Sequence, residues 1–481
     1  MTTELTPDLI ERFVAVVGEK YALRNPEDIA PFMLDHRDRY FNSAQLVLRP
    51  GTVDEISQIL KLATETGVAI VPQGGNSGMS GGATPDESGD AIVLSLRRMN
   101  AIVALDRDEQ TTTCEAGVIL QTLHEAAANA QLRFPLTLGG KGSATIGGLI
   151  STNAGGTQVL RHGTMRAQVI GLEAVLPDGQ VFNSLTPLKK DNRGFDLKQL
   201  LIGSEGTLGI VTGATLRLLP EIAGRAVLWA GLNSITDARK FLLHCQKFAG
   251  EKLEGFEVLP AHSLAAVLDH LPSARAPLDQ AYPWNALIEL VGTTKTIAQL
   301  HDLAEVTLAT AFESKLIADA TIAANETQAD AFWLLRDSIS PAERAIGPAM
   351  QHDISVPVDR MAQFVETAVP AVEARFPTTT AVAFGHLGDG NVHFHVIAPP
   401  SVTPGEWEME EGKLISGFVH DLVTEWDGSI SAEHGIGQMK VDELGRLGDP
   451  AALSLMRSIN HALAPLGLFN PGKLVPAAGN S

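Results

Sequence analysis

The stretch PQGGNSGMSGG, residues 72–82, decides the fold that we predict for this chain, because its last nine positions contain five glycines. It follows the apolar run VAIV (68–71), which predicts a short buried strand. A second stretch, GGKGSATIGGLISTNAGG (139–156), contains seven glycines in eighteen positions, and GSEGTLG (203–209) contains three more. Glycine loses much chain entropy on folding. These three stretches therefore favour binding loops, in which successive backbone N–H groups surround an anion, over ordinary surface turns.

The common nucleotide and hydrolase motifs do not explain these loops. No GxGxxG opens a helix after a strand, as a dinucleotide-binding fold requires, and there is no GxxxxGK[ST] phosphate loop. GMSGG (78–82) matches the GxSxG nucleophile elbow, but that motif needs a helix directly after it. Ala83, Thr84 and Pro85 follow instead, which disfavours a serine hydrolase.

Length and composition limit the function classes. A chain of 481 residues is expected to divide into two or three domains, and 44% hydrophobic with 19% charged residues is typical of a globular protein. The 36 basic and 56 acidic residues give a net charge of −20, which argues against a nucleic-acid partner. No apolar run reaches the ~18 residues of a transmembrane segment, and MTTELTPDLIERF at the start is not a secretory signal. With only two cysteines, we expect a cytoplasmic protein.

The order of predicted elements indicates where the domains lie. TVDEISQILKLATETG (52–67) predicts a helix that starts with a Thr52–Glu55 capping box and ends at Gly67. The glycine-rich stretches all precede Pro220, and longer helical segments alternate with strands after it. We therefore predict a first domain over 1–222, a second over 223–425 and a C-terminal segment, 426–481, that packs back on the body.

Three segments resemble the FAD-binding segments of flavoenzymes of the vanillyl-alcohol oxidase type: PQGGNSGM (72–79), GGKGSATIGGLISTNAGGTQVLRHGTMR (139–166) and FDLKQLLIGSEGTLGIVT (195–212). The resemblance implies an α+β fold, with a two-subdomain FAD-binding domain and an α/β substrate (cap) domain built on an antiparallel sheet. Some members attach the flavin through a histidine after the paired glycines, where this chain has Asn76, so we expect non-covalent FAD. The implied FAD-binding residues are Pro72, Gly74, Gly75, Asn76, Ser77, Gly78, Met79, Gly140, Ser143, Thr145, Gly148, Asn153, Ala154, Glu205, Gly209, Ile210 and Asn470.

A histidine cluster predicts a metal site. VAFGHLGDGNVHFHV (382–396) contains three of the chain's 14 histidines, and His393 and His395 share one face of a predicted strand. His386 can approach them across the GDGN turn. Two imidazoles need a carboxylate to complete a Zn²⁺ site, and SISAEHGIGQMK (429–440) offers Glu433 beside His434. This pattern favours a metal site over isolated hydrogen-bonded histidines, with His395 the weaker candidate ligand and expected to be structural.

GHLGDGNVH (385–393), SAEHGIG (431–437) and GLFNPGK (467–473) are similar to motifs of the D-2-hydroxyglutarate and D-lactate dehydrogenase branch of the same family. The resemblance implies that His386, His393 and Glu433 bind the metal and that His434 is the general base. It also implies that Asn391 binds the substrate's C1 carboxylate. Arg336 and Ser340, about one helical turn apart, are expected to bind the distal carboxylate, with Gln351 standing where the branch has a lysine.

The expected reaction is oxidation of a D-2-hydroxy acid, in which the metal acidifies the hydroxyl group, His434 removes its proton and the flavin accepts hydride. Zn²⁺ is the expected metal, although imidazole–carboxylate sites also accept Mn²⁺ and Fe²⁺. An electron-transfer flavoprotein or a quinone is the expected electron acceptor, and a homodimer is the expected assembly. Two alternatives stay open: a flavin oxidase or alkyl-ether synthase acting on a different compound, and a metal-dependent hydrolase without flavin.

Overall fold

The computed structural model describes residues 3–292, 297–400 and 402–477. By its internal contacts the chain divides into two compact units. Unit 1 comprises Met1–Gly156, His162–Pro220 and Glu433–Ser481, and unit 2 comprises Thr157–Arg161 and Glu221–Ala432. The three-part division at 222 and 425 stays a prediction from the sequence.

Unit 1 contains two principal sheets. The first has the order β1-β2-β4-β3, and its β2–β4 and β3–β4 pairs are parallel. The second is antiparallel, with the order β5-β6-β10-β8-β9, and β7 pairs with β11 in a separate ribbon. The strands are β1 Ala22–Leu23, β2 Val47–Leu48, β3 Ile70–Gln73, β4 Ile92–Ser95, β5 Ile102–Asp106, β6 Thr111–Glu115, β7 Leu132–Arg133, β8 Val169–Val175, β9 Val181–Ser184, β10 Ile210–Arg217 and β11 Leu219–Pro220.

The helices before Pro220 are α1 Pro7–Val17, α2 Pro26–Met33, α3 Val53–Thr66, α4 Leu120–Asn129, α5 Ile146–Thr152, α6 Val159–His162, α7 Met165–Gln168 and α8 Lys198–Leu201. Most of α6 belongs to the Thr157–Arg161 segment of unit 2, and the others belong to unit 1. The helix predicted from 52–67 is α3, in which Thr52 Oγ1 accepts from Glu55 N at 3.1 Å and Gly67 ends the helix in the left-handed conformation. The Glu55 carboxylate accepts from Gly51 N rather than from Thr52 N, so the reciprocal half of the predicted capping box is shifted by one residue.

Unit 2 is built on one seven-stranded antiparallel sheet of order β15-β12-β14-β13-β17-β18-β16. Its strands are β12 Gly224–Leu232, β13 Leu253–Pro260, β14 Trp284–Gly292, β15 Asp319–Ile322, β16 Ala349–Ser355, β17 Thr380–His386 and β18 Asn391–Ile397. Its helices are α9 Ile235–Ala249, α10 Ala261–His270, α11 Ile297–Glu313, α12 Glu326–Asp337, α13 Ile339–Ile346, α14 Met361–Arg375, α15 Glu406–Met409 and α16 Glu411–Glu425. The chain then returns to unit 1 with α17 Val441–Leu447 and α18 Pro450–Leu463.

The two faces of the unit 2 sheet differ because side chains alternate along each strand. One face is largely apolar and packs against α9, α11, α14 and α16, with Phe256 and Phe394 at its centre. Its buried polar residues include His352 of β16, whose Nε2 is 3.0 Å from Ser416 Oγ of α16. The other face packs against α10, α12 and α13 through residues such as Trp229 and Phe384. Toward β16–β18 this second face becomes polar, and it carries the predicted histidines.

This arrangement confirms the predicted α+β class with an antiparallel sheet in the second half of the chain. Across the described residues, no helix combines the length and the apolar character needed to cross a membrane.

Candidate functional site

Two of the glycine-rich stretches of unit 1, residues 74–82 and 139–156, pack closely against each other. A Cβ added at Gly74 would lie 2.1 Å from Thr145 Oγ1, and one added at Gly75 would lie 1.7 Å from the carbonyl oxygen of Ser143. A side chain at either position would therefore push the second stretch away. Gly78 differs from both, because a Cβ there meets nothing within 4 Å. Glycine is required at 74 and 75 by packing between the loops, a reason that the sequence prediction did not include.

In the first loop the carbonyl groups accept hydrogen bonds from a side chain, whereas successive N–H groups have no acceptor among the described residues. Arg97 Nε and Nη2 donate to the carbonyl oxygens of Gly74 and Gly75 at 3.1 and 3.0 Å. Asn76 adopts the left-handed conformation, with φ 53°, and its Nδ2 donates to Leu34 O at 2.8 Å. The backbone N–H groups of residues 75–78 donate to no other described residue. Four successive N–H groups without partners make a nest that is suited to an anion.

The second stretch, residues 139–156, also contains a buried polar atom that a ligand could satisfy. Thr145 is buried, and its Oγ1 has no hydrogen-bond partner in the described part of the chain. Asn153, with φ 50°, ends α5 and accepts at Oδ1 from Thr164 Oγ1 and Arg166 N, both at 2.9 Å. Ala154 continues this turn by accepting from Met165 N. Buried polar atoms are nearly always satisfied, so the Thr145 hydroxyl is a candidate contact for a bound group.

Glu205 and Asn470 attach the C-terminal segment to the loops of unit 1. The two carboxylate oxygens of Glu205 accept from Ile436 N and Gly437 N, each at 2.8 Å. Burial raises the pKa of Glu205, and these two N–H groups and the charge of Lys440 oppose the rise. Asn470 Nδ2 donates to Gly82 O and to Glu205 O at 2.8 and 2.7 Å, while its Oδ1 is buried without a partner among the described residues.

The remaining residues predicted to bind FAD also lie in unit 1, along the same loops and strand ends. They are Pro72 in β3, Ser77 and Met79 in the first loop, Gly140 and Gly148 in the second stretch, Gly209 directly before β10 and Ile210 at its first position.

His434, the predicted general base, lies beside the first loop. Ser80 Oγ donates to the carbonyl oxygens of His434 and Gly435 at 3.2 and 3.0 Å. Gly437 packs so closely that an added Cβ would lie 2.0 Å from Ser80 O. Glu433 and His434 therefore belong to unit 1 and enter it next to residues 80–82.

The polar end of the unit 2 sheet forms what we call the site face, which is arranged in rows by strand register. His386 pairs with Asn391, Phe384 with His393 and Val382 with His395 across β17 and β18. On the other side of β18, Ser355, Asp353 and Gln351 oppose the same three β18 residues. Glu257 of β13 pairs with His386. The site face comprises Glu257, Gln351, Asp353, Phe384, His386, Asn391, His393 and His395.

Glu257 connects a predicted metal ligand with a predicted substrate ligand. His386 Nδ1 lies 2.5 Å from Glu257 Oε1, and Arg336 Nε donates to Glu257 Oε2 at 2.9 Å. Arg336 Nη2 is also 3.4 Å from His386 Nε2. Burial alone would raise the pKa of Glu257, but the charges and hydrogen bonds of His386 and Arg336 outweigh it and lower the pKa to about 2. Sequence reasoning missed Glu257; the available signal was a single acid inside the apolar strand LEGFEVLP.

His393 lies between the other two histidines, with ring-centroid distances of 5.4 Å to His386 and 6.4 Å to His395. Its pKa is well below the usual histidine value, first because burial disfavours the charged form and second because Arg336 is positive. No group of three or more His, Cys, Asp or Glu side chains arranged to hold a metal is found in the described residues. Of the predicted ligands, His386 and His393 meet in unit 2, and Glu433 belongs to unit 1.

Two predicted substrate contacts are arranged differently from the expectation. Arg336 and Ser340 do not share a helix, because α12 ends at Asp337 and α13 begins at Ile339. Asn391 uses its Nδ2 to donate to Asp353 Oδ1 and to Ile354 O, at 2.9 and 3.0 Å. Only its acceptor Oδ1 is without a partner among the described residues. Both amide hydrogens of Asn391 are used in these two hydrogen bonds, and its predicted contact with the substrate's C1 carboxylate stays a prediction.

Known proteins are similar to this chain over nearly its whole length. A model of the FAD binding domain matches residues 44–184, and a model of the C-terminal domain of FAD linked oxidases matches residues 223–474. The chain is 35% identical to a D-2-hydroxyglutarate dehydrogenase of Arabidopsis thaliana, over 97% of this chain and 81% of that protein. It is 32% identical to a D-2-hydroxyglutarate–pyruvate transhydrogenase of Saccharomyces cerevisiae, over 94% of this chain and 90% of that protein.

Solved structures share the fold at low sequence identity. A p-cresol methylhydroxylase aligns with a TM-score of 0.77 at 14% identity, covering 98% of each chain. An alkyldihydroxyacetonephosphate synthase aligns with a TM-score of 0.73 at 17% identity, over 98% of this chain and 87% of that one.

The expected cytoplasmic localisation is wrong, because the plant and bovine relatives are named as mitochondrial proteins. The prediction rested on cysteine usage and on the opening residues. Compartment is set by address signals that receptors read, and the composition of a folded domain does not carry that information.

Proposed function

The chain belongs to the FAD-linked oxidases, in the branch of the D-2-hydroxyglutarate and D-lactate dehydrogenases, and on this premise we propose that it oxidises a D-2-hydroxy acid to the 2-oxo acid with the help of a divalent metal ion. It is an FAD-dependent enzyme. The proposal depends on the site face, where the ring centroids of His386 and His393 are 5.4 Å apart and His386 contacts the Glu257 carboxylate.

The first glycine loop fits the pyrophosphate of FAD, since the N–H groups of residues 75–78 have no other partner among the described residues. The Thr145 hydroxyl and the Asn470 carbonyl are further candidate contacts, because both are buried and unsatisfied. When bound, FAD supplies the hydride acceptor. Non-covalent binding is consistent with Asn76, whose amide is hydrogen-bonded to Leu34 O.

A divalent ion, with Zn²⁺ as the first candidate, would be held by His386 and His393, and Glu433 stays the predicted third ligand. Glu257 accepts from Nδ1 of His386 and thereby leaves Nε2 as the ligating atom, which is the usual support for a metal-binding histidine. The pKa of His393 lies well below the usual histidine value because of burial, which favours the neutral imidazole that ligation requires. Arg336 Nη2, 3.4 Å from His386 Nε2, would have to withdraw from an ion at that position. When bound, the ion acidifies the substrate hydroxyl.

Side chains of the protein are candidates for the general base and for the substrate contacts. His434, held beside Ser80 through its backbone carbonyl, is the candidate general base for the hydroxyl proton. Arg336, Ser340 and Gln351 are the candidate contacts for the substrate. The positive charge of Arg336 is balanced by Glu257, so Arg336 is oriented before any substrate arrives.

An electron-transfer flavoprotein or a quinone is the proposed electron acceptor, and a homodimer is the proposed assembly. The name of the yeast relative favours a second candidate reaction, in which a 2-oxo acid such as pyruvate accepts the electrons instead. Turnover measured with pyruvate against turnover with an artificial quinone distinguishes the two.

The test is anaerobic bleaching of the flavin band by a panel of D- and L-2-hydroxy acids, with and without a chelator. We expect D-acids to reduce the flavin and the chelator to abolish the reduction. Reduction that is equally fast after complete metal removal would contradict metal dependence.

A further inference from the structure

We propose that His395, held by Glu343, and Gln351 form a subsite for the far end of the substrate that selects a neutral hydrogen-bonding group over a second carboxylate. This inference rests on the proposed function and specifies its substrate class. The side chain of His395 was expected to be only structural, and Glu343 was not singled out in the sequence.

The subsite lies in the row of the site face next to the proposed metal ligands. Gln351 and His395 are directly opposite each other on β16 and β18, and the next row contains Asp353 and His393. Two residues along a strand span roughly 6.6 Å. The side arm of a 2-hydroxy acid whose first two carbons are bound near His386 and His393 therefore reaches the Gln351–His395 row within a few bonds.

His395 is fixed in a single orientation. Its Nδ1 lies 2.5 Å from Glu343 Oε2, and Ser263 Oγ donates to the other oxygen of Glu343 at 3.3 Å. Glu343 is 0% exposed and His395 is 4% exposed, so neither side chain can turn toward solvent. The Nε2 of His395 makes no hydrogen bond to any described residue. A carboxylate that accepts from one ring nitrogen fixes the direction of the other.

Gln351 presents the complementary group. Its Nε2 is buried and has no hydrogen-bond partner within the described residues. A buried donor without a partner is unfavourable, and here it stands opposite an imidazole nitrogen that also has none. A hydroxyl or carboxamide on the substrate could accept from Gln351 Nε2 and interact with His395 Nε2 at the same time.

The charges of the region disfavour a second carboxylate. Glu257, Glu343 and Asp353 are each at most 1% exposed. The guanidinium of Arg336, which lies on this face, is already paired with Glu257. A substrate carboxylate beside Gln351 would add a negative group next to the buried Glu343 side chain, whereas a neutral group would not.

The experiment compares two substrates of the same length, D-2-hydroxyglutarate and its C5 carboxamide, D-2-hydroxyglutaramate, on the FAD- and metal-loaded protein. We expect the carboxamide to have the higher kcat/KM, by about tenfold, the scale of one charge-assisted contact. The ratio of the two kcat/KM values cancels any difference in the amount of active enzyme.

Two variants and one control variant test which side chains set the ratio of the two kcat/KM values. Gln351→Lys should shift the ratio toward the dicarboxylate by about tenfold or more, because it places an ammonium in the subsite. Glu343→Gln keeps the shape of the side chain, replaces the carboxyl group by a neutral carboxamide and should shift the ratio in the same direction. Gln363→Lys adds the same charge at an exposed position of α14, on the opposite side of the sheet, and should leave the ratio unchanged.

The possible results distinguish failure of the subsite from failure of the proposed function. A wild-type enzyme that prefers the dicarboxylate tenfold, or a ratio that neither Gln351→Lys nor Glu343→Gln changes, overturns the subsite while leaving the dehydrogenase proposal intact. Failure of every D-2-hydroxy acid to reduce the flavin overturns the proposed function itself. Preference for the carboxamide, reversed by Gln351→Lys and not by Gln363→Lys, establishes the subsite.

Discussion

Glu257 and His386 face each other across neighbouring strands, with Oε1 and Nδ1 2.5 Å apart and both side chains buried. The pair exists because β13 and β17 are in register at these two residues, which are 129 positions apart in the chain. The other oxygen of the same carboxylate binds Arg336. One buried acid therefore orients both an imidazole and a guanidinium on the site face.

Replacing Glu257 by Gln should weaken divalent metal binding roughly 10- to 100-fold, because a carboxylate behind a ligating histidine raises the basicity of the ring and fixes its orientation. The affinity is measured by competition with a chromophoric chelator on FAD-loaded protein. Glu366→Gln, at an exposed position of α14, is the matched control. Equal metal affinities in the two variants would remove Glu257 from the metal site.

Within the first loop, Gly75→Ala and Gly78→Ala should behave differently. The methyl group at 75 would overlap Ser143 O, so we expect a loss of roughly 1–3 kcal/mol of unfolding free energy in the apoprotein. The methyl group at 78 has open space, and the apoprotein should unfold as wild type does. Denaturant titration without FAD measures both. Equal destabilisation at the two positions would mean that the loops do not interlock as described.

His434→Ala should slow flavin reduction by the substrate about 10²- to 10⁴-fold, the usual contribution of a positioned base, while FAD stays bound. Stopped-flow absorbance in the absence of oxygen gives the rate, and the flavin spectrum gives the occupancy. His461→Ala, exposed on α18, is the control for removal of a histidine. Unchanged flavin reduction in His434→Ala would require another base.

Lys473 should make stability depend on pH in the alkaline range. Its side chain is 2% exposed and makes no hydrogen bond or ion pair with another described residue. Burial lowers its pKa from 10.5 to about 8, and the charge of Asp86 only partly opposes this. The folded state therefore holds the proton less tightly than the unfolded state does. The cost of charging the buried amine is fully present below pH 8 and disappears as the pH rises to 10.5.

Lys473→Met removes that cost. Below pH 8 the variant should be more stable than wild type by roughly 3 kcal/mol, and the difference should close as the pH approaches 10.5. Denaturant midpoints across this range are the measurement, with Lys190→Met, at an exposed position, as the control. A stability difference that stays constant with pH would show that burial does not perturb this amine.

The fold and the general location of the site could be predicted because they depend on local patterns. Glycine density at 74–82 and 139–156 indicated the binding loops, and the alternation in NVHFHV placed His393 and His395 on one strand face. Asn391 shows the limit of such reasoning. Its amide donates to Asp353 and to Ile354, and no local pattern in the sequence indicates either partner.

The sequence by itself determined the glycine loops, the histidine strand and the family, because each is carried by a short run of contiguous residues: a high glycine density, a strand alternation and a set of motifs. Only the tertiary structure decided that Glu257 stands behind His386, that Glu343 orients His395 and that Glu205 binds the backbone at 436–437. Those contacts join residues between 52 and 232 positions apart. Their geometry follows from strand register and helix packing, which a one-dimensional pattern does not specify.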